Sequence, residues 1–199
     1  MIAIVILAAG AARRMQGRDK LMEEVNGVPL LRRQTLRALD TTCPVLVTLP
    51  PAPHQRYDVI NDLGVTLVPV PDPSEGMNAS LRAGLAALPD TAEAVMVMLA
   101  DMPDITVNDL NTILQGIDLD AETRIWRATT QTGAAGHPIV FHRSLIPELL
   151  NLWGDAGGRE VVKAHADKTL HIPLPENHAR TDLDTPQAWA AWRAGRRKP

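Results

Sequence analysis

Four side chains have the type and setting to handle a polyphosphate: Arg14 and Lys20 in a loop of small residues, and Asp101 and Asp184 far downstream. The loop follows Leu7 and begins Ala8-Ala9-Gly10-Ala11-Ala12. Residues this small let backbone approach a ligand closely, and exposed amides in such a turn form a concave seat for anions. Arg14 would add a bidentate fork and Lys20 a point charge. The bland alternative is a strand–helix turn with solvated basic residues. Its setting after a first apolar strand, with Arg13, Arg14, Arg18 and Lys20 close together, weighs against that. Neither Gly-x-x-x-x-Gly-Lys-Ser/Thr nor Gly-x-Gly-x-x-Gly occurs, so a P-loop NTPase and a nicotinamide dehydrogenase have little support.

Carboxylates are the natural complement to such a loop. A magnesium ion needs few protein carboxylates, because it keeps waters and takes further oxygens from phosphates. Asp101 ends an apolar run. Helix capping would be its ordinary task, but Thr106 is better placed for that. Asp184 precedes Thr185-Pro186, and spacing alone leaves cap and ligand open for it. The six histidines show no zinc spacing.

These residues need a frame. Apolar, β-branched runs at Ile2–Leu7, Val45–Leu49, Val65–Val70 and Ala94–Leu99 read as strands covered on both faces. Between them lie helical patterns: from Pro29 to about Leu39, a weaker one over Ala52–Asp62, and one capped by Asn78 with Leu81, Leu85 and Leu88 in period. Thr106 with Asp109 resembles a capping box for a helix reaching about Gln115. Further on, Arg124–Ala128, Pro138–Phe141 and Thr169–Ile172 read as strands. Leu145–Leu152, Gly158–Ala166 and a segment from Pro186 read as helices. Met96, Met98, Trp126, Trp153, Trp189 and Trp192 are expected to pack in the interior. Alternation of this kind predicts a single-domain, three-layer α/β/α sandwich, Rossmann-like, with a mixed but mostly parallel sheet. Ligands then bind beyond the carboxyl ends of the strands, which singles out the segments after Leu7 and Leu99.

Composition narrows the function classes. The 199 residues are 45% apolar but only 3% aromatic, so an aliphatic core is expected. Net charge is −3, and the one basic run, Arg193 to Lys198, lies at the C-terminus. Nucleic acid is a poor partner for such a chain. Cys43 is the only cysteine, which excludes an intrachain disulfide and a cysteine-based metal cluster. The apolar run Ile2–Ala9 is too short to span a bilayer, and its arginines follow it instead of preceding it as in an export signal. A cytoplasmic protein without membrane contact is expected.

Leu7-Ala8-Ala9-Gly10 through Arg14-Met15, Gly17, Asp19-Lys20 and Gly27-Val28-Pro29-Leu30 closely resembles the nucleotide-binding signature of the MobA-like NTP transferases. Of these, the chain looks most like the molybdenum cofactor cytidylyltransferases. The resemblance continues in order through Glu75-Gly76-Met77-Asn78-Ala79-Ser80-Leu81, Ala100-Asp101-Met102-Pro103, Gly136-His137-Pro138, Gly154-Asp155-Ala156-Gly157-Gly158-Arg159 and Asp182-Leu183-Asp184-Thr185-Pro186. Ala12 stands where many relatives have Ser, and Val28 where Lys or Arg is common. The resemblance implies a nucleotide-diphospho-sugar transferase type of fold and transfer of a nucleoside monophosphate from a triphosphate to a phosphorylated acceptor, molybdopterin. It makes Leu7, Ala8, Ala9, Gly10, Arg14, Lys20, Gly76, Ser80 and Asp101 nucleotide contacts, with Arg14, Lys20 and Asp101 catalytic. Asp101 and Asp184 would hold Mg2+, with Mn2+ able to replace it, while Asp182 supports them. His137, Asp155 and Arg159 would face the acceptor, although a turn before a strand and a helix start account for these segments equally well.

Ala9 before Gly10, where the guanylyltransferases carry two glycines, points to CTP over GTP. A transient contact with a molybdoenzyme or its chaperone would follow. GTP-dependent guanylyl transfer, transfer to a sugar or polyol phosphate, and a nucleotide-binding regulatory protein without turnover are the alternatives. All but the last require Lys20 and Asp101 to meet.

Overall fold

The computed structural model describes residues 1–155 and 157–196; Ala156 of the Gly154–Arg159 motif, and Arg197 and Lys198 of the basic run, lie outside the described residues. Seven strands form one sheet: β1 (Ile2–Leu7), β4 (Val45–Leu49), β5 (Thr66–Pro69), β6 (Ala94–Leu99), β7 (Ile125–Thr129), β8 (Ala135–His142) and β9 (Thr169–Pro173). Their spatial order is β5-β4-β1-β6-β8-β7-β9. β5, β4, β1 and β6 run parallel, β8 is antiparallel to both neighbours, and β7 and β9 are parallel. The mixed, mostly parallel sandwich expected from the alternation is therefore what forms.

Period-two alternation divides the core between the two faces of the sheet. Ile4, Ile6, Met96 and Met98 face one way, towards α1 (Leu30–Leu39), α4 (Val107–Gln115) and α7 (Pro186–Gly195). Ala3, Val5, Val95 and Val97 face the other, towards α3 (Met77–Ala86), α5 (Ile146–Leu150) and α6 (Arg159–Ala164). Strands packed on both faces must be apolar at every position, which is why their sequences read as unbroken hydrophobic runs. Among the described residues no helix is long and apolar enough to cross a membrane.

Several boundaries differ from the periodicity, each for a local reason. The weak helix over Ala52–Asp62 shrinks to α2 (Gln55–Asp58), opened by the His54 side chain accepting from Arg56 N. Helix α3 is entered through Gly76, not Asn78; φ 101° at Gly76 suits only glycine. Asn78 lies one residue inside that helix, and its amide donates to Trp153 O at 2.6 Å. Over Leu145–Leu152, a 3-10 turn at Arg143–Leu145 leads into the short α5. The chain adds a short hairpin, β2 (Glu24–Val25) with β3 (Val28–Pro29), in which Asn26 and Gly27 have the left-handed φ of 55° and 77° that an Asn-Gly turn demands. Trp126 and Trp189 are buried as expected, whereas Trp153 is 73% exposed and its ring lies against the Arg82 guanidinium at 4.2 Å.

Candidate active site

The loop after β1 is held by anchors at its base. Ala8 N donates to Thr48 O at 3.0 Å, which ties the loop to β4. Met15, at the end of a single 3-10 turn, and Leu21 are both buried and fix the far side. Between them Gln16 and Gly17 take left-handed φ of 54° and 85°, which reverses the chain and delivers Lys20 beside Leu21.

A residue that sequence spacing does not reveal completes this scaffold. Arg56, 2% exposed, reaches back from α2 beneath the loop. Its Nε and Nη2 donate to Asp19 Oδ2 and Oδ1 at 2.7 and 2.8 Å. Its Nη1 donates to Ala8 O at 2.5 Å and Gly10 O at 3.0 Å. Burial works against the Asp19 charge, but Arg56 outweighs it and holds the carboxyl below its ordinary value. Because a trans peptide points C=O and the following N–H in opposite directions, pinning these carbonyls turns the amides of Ala9 and Ala11 away from Arg56. Among the described residues, the amides of Ala9, Gly10, Ala11 and Ala12 donate to no protein acceptor.

The opposing charges come from the carboxyl end of β6 and from the segment before α7. Asp101 follows Leu99-Ala100, and its Oδ2 accepts from Lys20 Nζ at 2.5 Å. The same ammonium donates to Asp184 Oδ1 at 2.5 Å, and Arg14 pairs with the other oxygen of Asp184. Lys20 and Asp101, which had to meet, do meet. The choice left open at Asp184 is also resolved for the cap: Thr185 Oγ1 accepts from Ala188 N at 3.1 Å and Asp184 is free of that task. Asp101 caps nothing either, since Thr106 and Asp109 form the expected box on α4.

Electrostatics follow from this crowding. Burial disfavours the Lys20 charge, but Asp101 and Asp184 overcome it and raise its pKa. Burial opposes the Asp184 charge in turn; Lys20, Asp182 and Arg14 more than offset it and lower its pKa. Asp182 moves upward, from burial first and then from Asp184 and Asp101. Asp101 Oδ1 is buried without a partner among the described residues. Among the described residues no group of three or more His, Cys, Asp or Glu is arranged to hold a metal. Two carboxylates converging on one cationic point, one with an oxygen to spare, nonetheless fit a cation that draws most of its ligands from phosphate and water.

All of this opens onto a cleft of about 450 Å³. Leu7, Ala8, Gly10, Arg14 and Lys20 of the loop region line it together with Gly76, Ser80, Asp101 and Asp184. Ala9 does not line it; its methyl is packed with Val70 and Ala79 beneath the loop. A Cβ at Gly76 would lie 2.9 Å from Asp155 Oδ1 and 3.0 Å from Gly154 O, so the approach of α3 to that loop requires glycine. Asp155 stands at the cleft edge, where its Oδ1 accepts from Met77 N at 2.8 Å and so closes the first turn of α3. His137 and Arg159 lie outside the cleft lining; His137 is on β8 and Arg159 opens α6.

Residues 4–169 match the sequence profile of the MobA-like NTP transferase domain. The chain belongs to that family. It is therefore a nucleotidyltransferase, with the fold of the nucleotide-diphospho-sugar transferases. A "Probable molybdenum cofactor guanylyltransferase" of Synechococcus elongatus is 29% identical, the match covering 95% of this chain and 96% of the relative. Among solved structures, Rv0371c of Mycobacterium tuberculosis superposes with a TM-score of 0.83 at 26% identity, covering 96% of this chain and 95% of that one. A manganese complex of Rv0371c gives a TM-score of 0.78 at 23% identity, with 96% of each chain covered.

Proposed function

We propose that this MobA-like transferase moves CMP from CTP onto the phosphate of a molybdopterin-type acceptor and releases pyrophosphate. The observation that carries the reading is the meeting of Lys20 with both Asp101 and Asp184 at 2.5 Å, in one cleft with a loop whose four amides have no acceptor among the described residues. An oxygen of the acceptor phosphate attacks the α-phosphorus in line. As that P–O bond forms, the bond to the bridging oxygen of the β-phosphate breaks, and its electron pair leaves with pyrophosphate. The loop amides with Arg14 and Lys20 would hold the polyphosphate and stabilise the charge gathering on the leaving group. An ionised phosphate is already nucleophilic, so no general base is needed. Asp101 and Asp184 would hold a divalent cation, Mg2+ or Mn2+, which when bound offsets charge across the phosphates; the manganese complex of Rv0371c is consistent with that choice.

Ala9 before Gly10 supports CTP through its likeness to the cytidylyltransferases; the Ala9 methyl itself packs against Val70 and Ala79. The guanylyltransferase name of the Synechococcus relative favours GTP as the second reading. Pyrophosphate release with molybdopterin and Mg2+ separates them: turnover with CTP well above GTP is expected, and the reverse order moves the assignment to guanylyl transfer. Asp101→Ala should lower turnover by about 10²–10³-fold, as loss of one preorganised charge contact does elsewhere. Wild-type turnover in that variant would remove the metal assignment.

A further inference from the structure

The acids that would hold the cation are already engaged by the chain's own basic side chains. Asp101 and Asp184 offer four oxygens. Lys20 Nζ lies 2.5 Å from Asp101 Oδ2 and 2.5 Å from Asp184 Oδ1. Arg14 pairs with Asp184 Oδ2. Asp101 Oδ1 has no partner among the described residues, but it is sealed from solvent. No oxygen of the pair is therefore both unpaired and open to a hydrated ion.

Lys20 and Arg14 hold these oxygens differently. Lys20 bridges the two acids with a side chain only 16% exposed, where water screens little. Arg14 touches Asp184 alone and is 70% exposed, a setting in which an ion pair is weak. A magnesium ion takes its oxygens at about 2.0–2.1 Å. One that shared Asp101 Oδ2 and Asp184 Oδ1 would meet an ammonium bonded to those same oxygens, and like charges so close repel strongly in a half-buried site. An ammonium on a four-carbon stem, with three rotatable donors, can exchange one set of oxygens for another. The second set is at hand. The cleft that Lys20 lines also contains the loop whose four amides lack acceptors, so a polyphosphate seated there brings its own oxygens to Nζ.

We infer that Lys20 is a displaceable counter-ion: its ammonium holds the cation position between Asp101 and Asp184 and cedes it only when a polyphosphate draws it away. Divalent metal and nucleotide then bind as a pair, and metal alone binds weakly. The charges of Asp101 and Asp184 stay compensated throughout, first by Lys20 and then by the metal. The metal and the nucleotide come from the transfer reading above; the ion pairs that Lys20 makes do not.

The test is binding of Mn2+ alone to the full chain and its variants, read from the EPR signal of the free ion. Lys20→Met should bind Mn2+ about 10–100-fold more tightly than wild type, since the ion no longer competes with charge-assisted bonds. Arg14→Met removes an equal charge from the other oxygen of Asp184 and should gain less than about fivefold. Asp101→Asn added to Lys20→Met should erase the gain. Wild-type affinity in Lys20→Met, or an equal gain in Arg14→Met, overturns the exchange and spares the transfer reading. Absence of Mn2+ binding to every chain sinks the exchange together with the metal assignment. The expected gain without pyrophosphate release from CTP or GTP sinks the transfer reading and spares the exchange. Should Lys20→Met fail to fold, the 15N-labelled wild-type chain decides: the Lys20 ammonium resonance should move in step with Mg2+ binding, and saturation with that resonance unmoved overturns the proposal.

Discussion

Arg56→Met removes the strut beneath the phosphate loop while keeping most of the buried volume. Arg56 and Asp19 are joined by two bonds of 2.7 and 2.8 Å, with side chains 2% and 9% exposed. Deleting one partner of a pair this buried leaves the other charge uncompensated, at a cost of about 3–5 kcal/mol. The carbonyls of Ala8 and Gly10 lose their donor as well, so the upper half of that range is expected. Against a total stability of about 5–15 kcal/mol the variant should still fold at low temperature. Asp19→Asn in the same background removes the orphaned charge, so the double variant should recover part of the loss. Urea unfolding measures both. Calorimetry with magnesium and CTP should show weaker binding in Arg56→Met, because the amides of Ala9 and Ala11 are no longer aimed. Arg56→Lys keeps a charge for Asp19 and should lose less stability than Arg56→Met, but it should not restore binding, since one ammonium cannot serve four donor directions. A loss below about 1 kcal/mol with unchanged CTP affinity would refute the strut.

Three further outcomes follow from single contacts. Gly76→Ala should destabilise the fold by about 1–3 kcal/mol in thermal unfolding, because φ is 101° there and a methyl meets Asp155. Thr185→Ala should cost about 1 kcal/mol by uncapping α7, with turnover near wild type, whereas Asp184→Ala should abolish turnover; equal effects on turnover would merge the two roles. Burial first and Arg127 next push the His137 pKa down to about 4 from an ordinary 6.5. The unfolded chain therefore binds that proton first, and stability falls as pH drops from about 6.5 to about 4, by up to about 3 kcal/mol. His137→Gln should flatten that slope in urea unfolding across the window.

What could be read from sequence was what depends on near neighbours. The strands showed because burial on both faces demands apolar residues at every position, and the α4 cap showed because Thr106 and Asp109 are three residues apart. The Asn26-Gly27 turn carried an equally local signal that the flanking short strands obscured. Arg56 carried none: its carboxylate lies 37 residues away, and a basic residue in a weak helix has the pattern of a solvated one. Asn78 misled because a good capping residue was present, while the capping oxygen came from Asp155, 78 residues on from the amide it accepts.

The placement of Asp184 shows how a core residue can set the chemistry of a site. In the irregular run Asp182-Leu183-Asp184, Leu183 is buried between an exposed Asp182 and a half-buried Asp184. Leu183 is 2% exposed and packs in the same cluster as Ile4 and Met98. Its N–H donates to Asp101 O at 3.2 Å. With Leu183 buried, Asp182 and Asp184 lie close enough that Asp182 is held more weakly acidic and Asp184 more strongly acidic than usual. A one-residue slip would bury an aspartate in the apolar layer, so the register of the acids is protected by the cost of that burial. The carboxylate that meets Lys20 from the far end of the chain is thus positioned by a leucine that never touches the cleft.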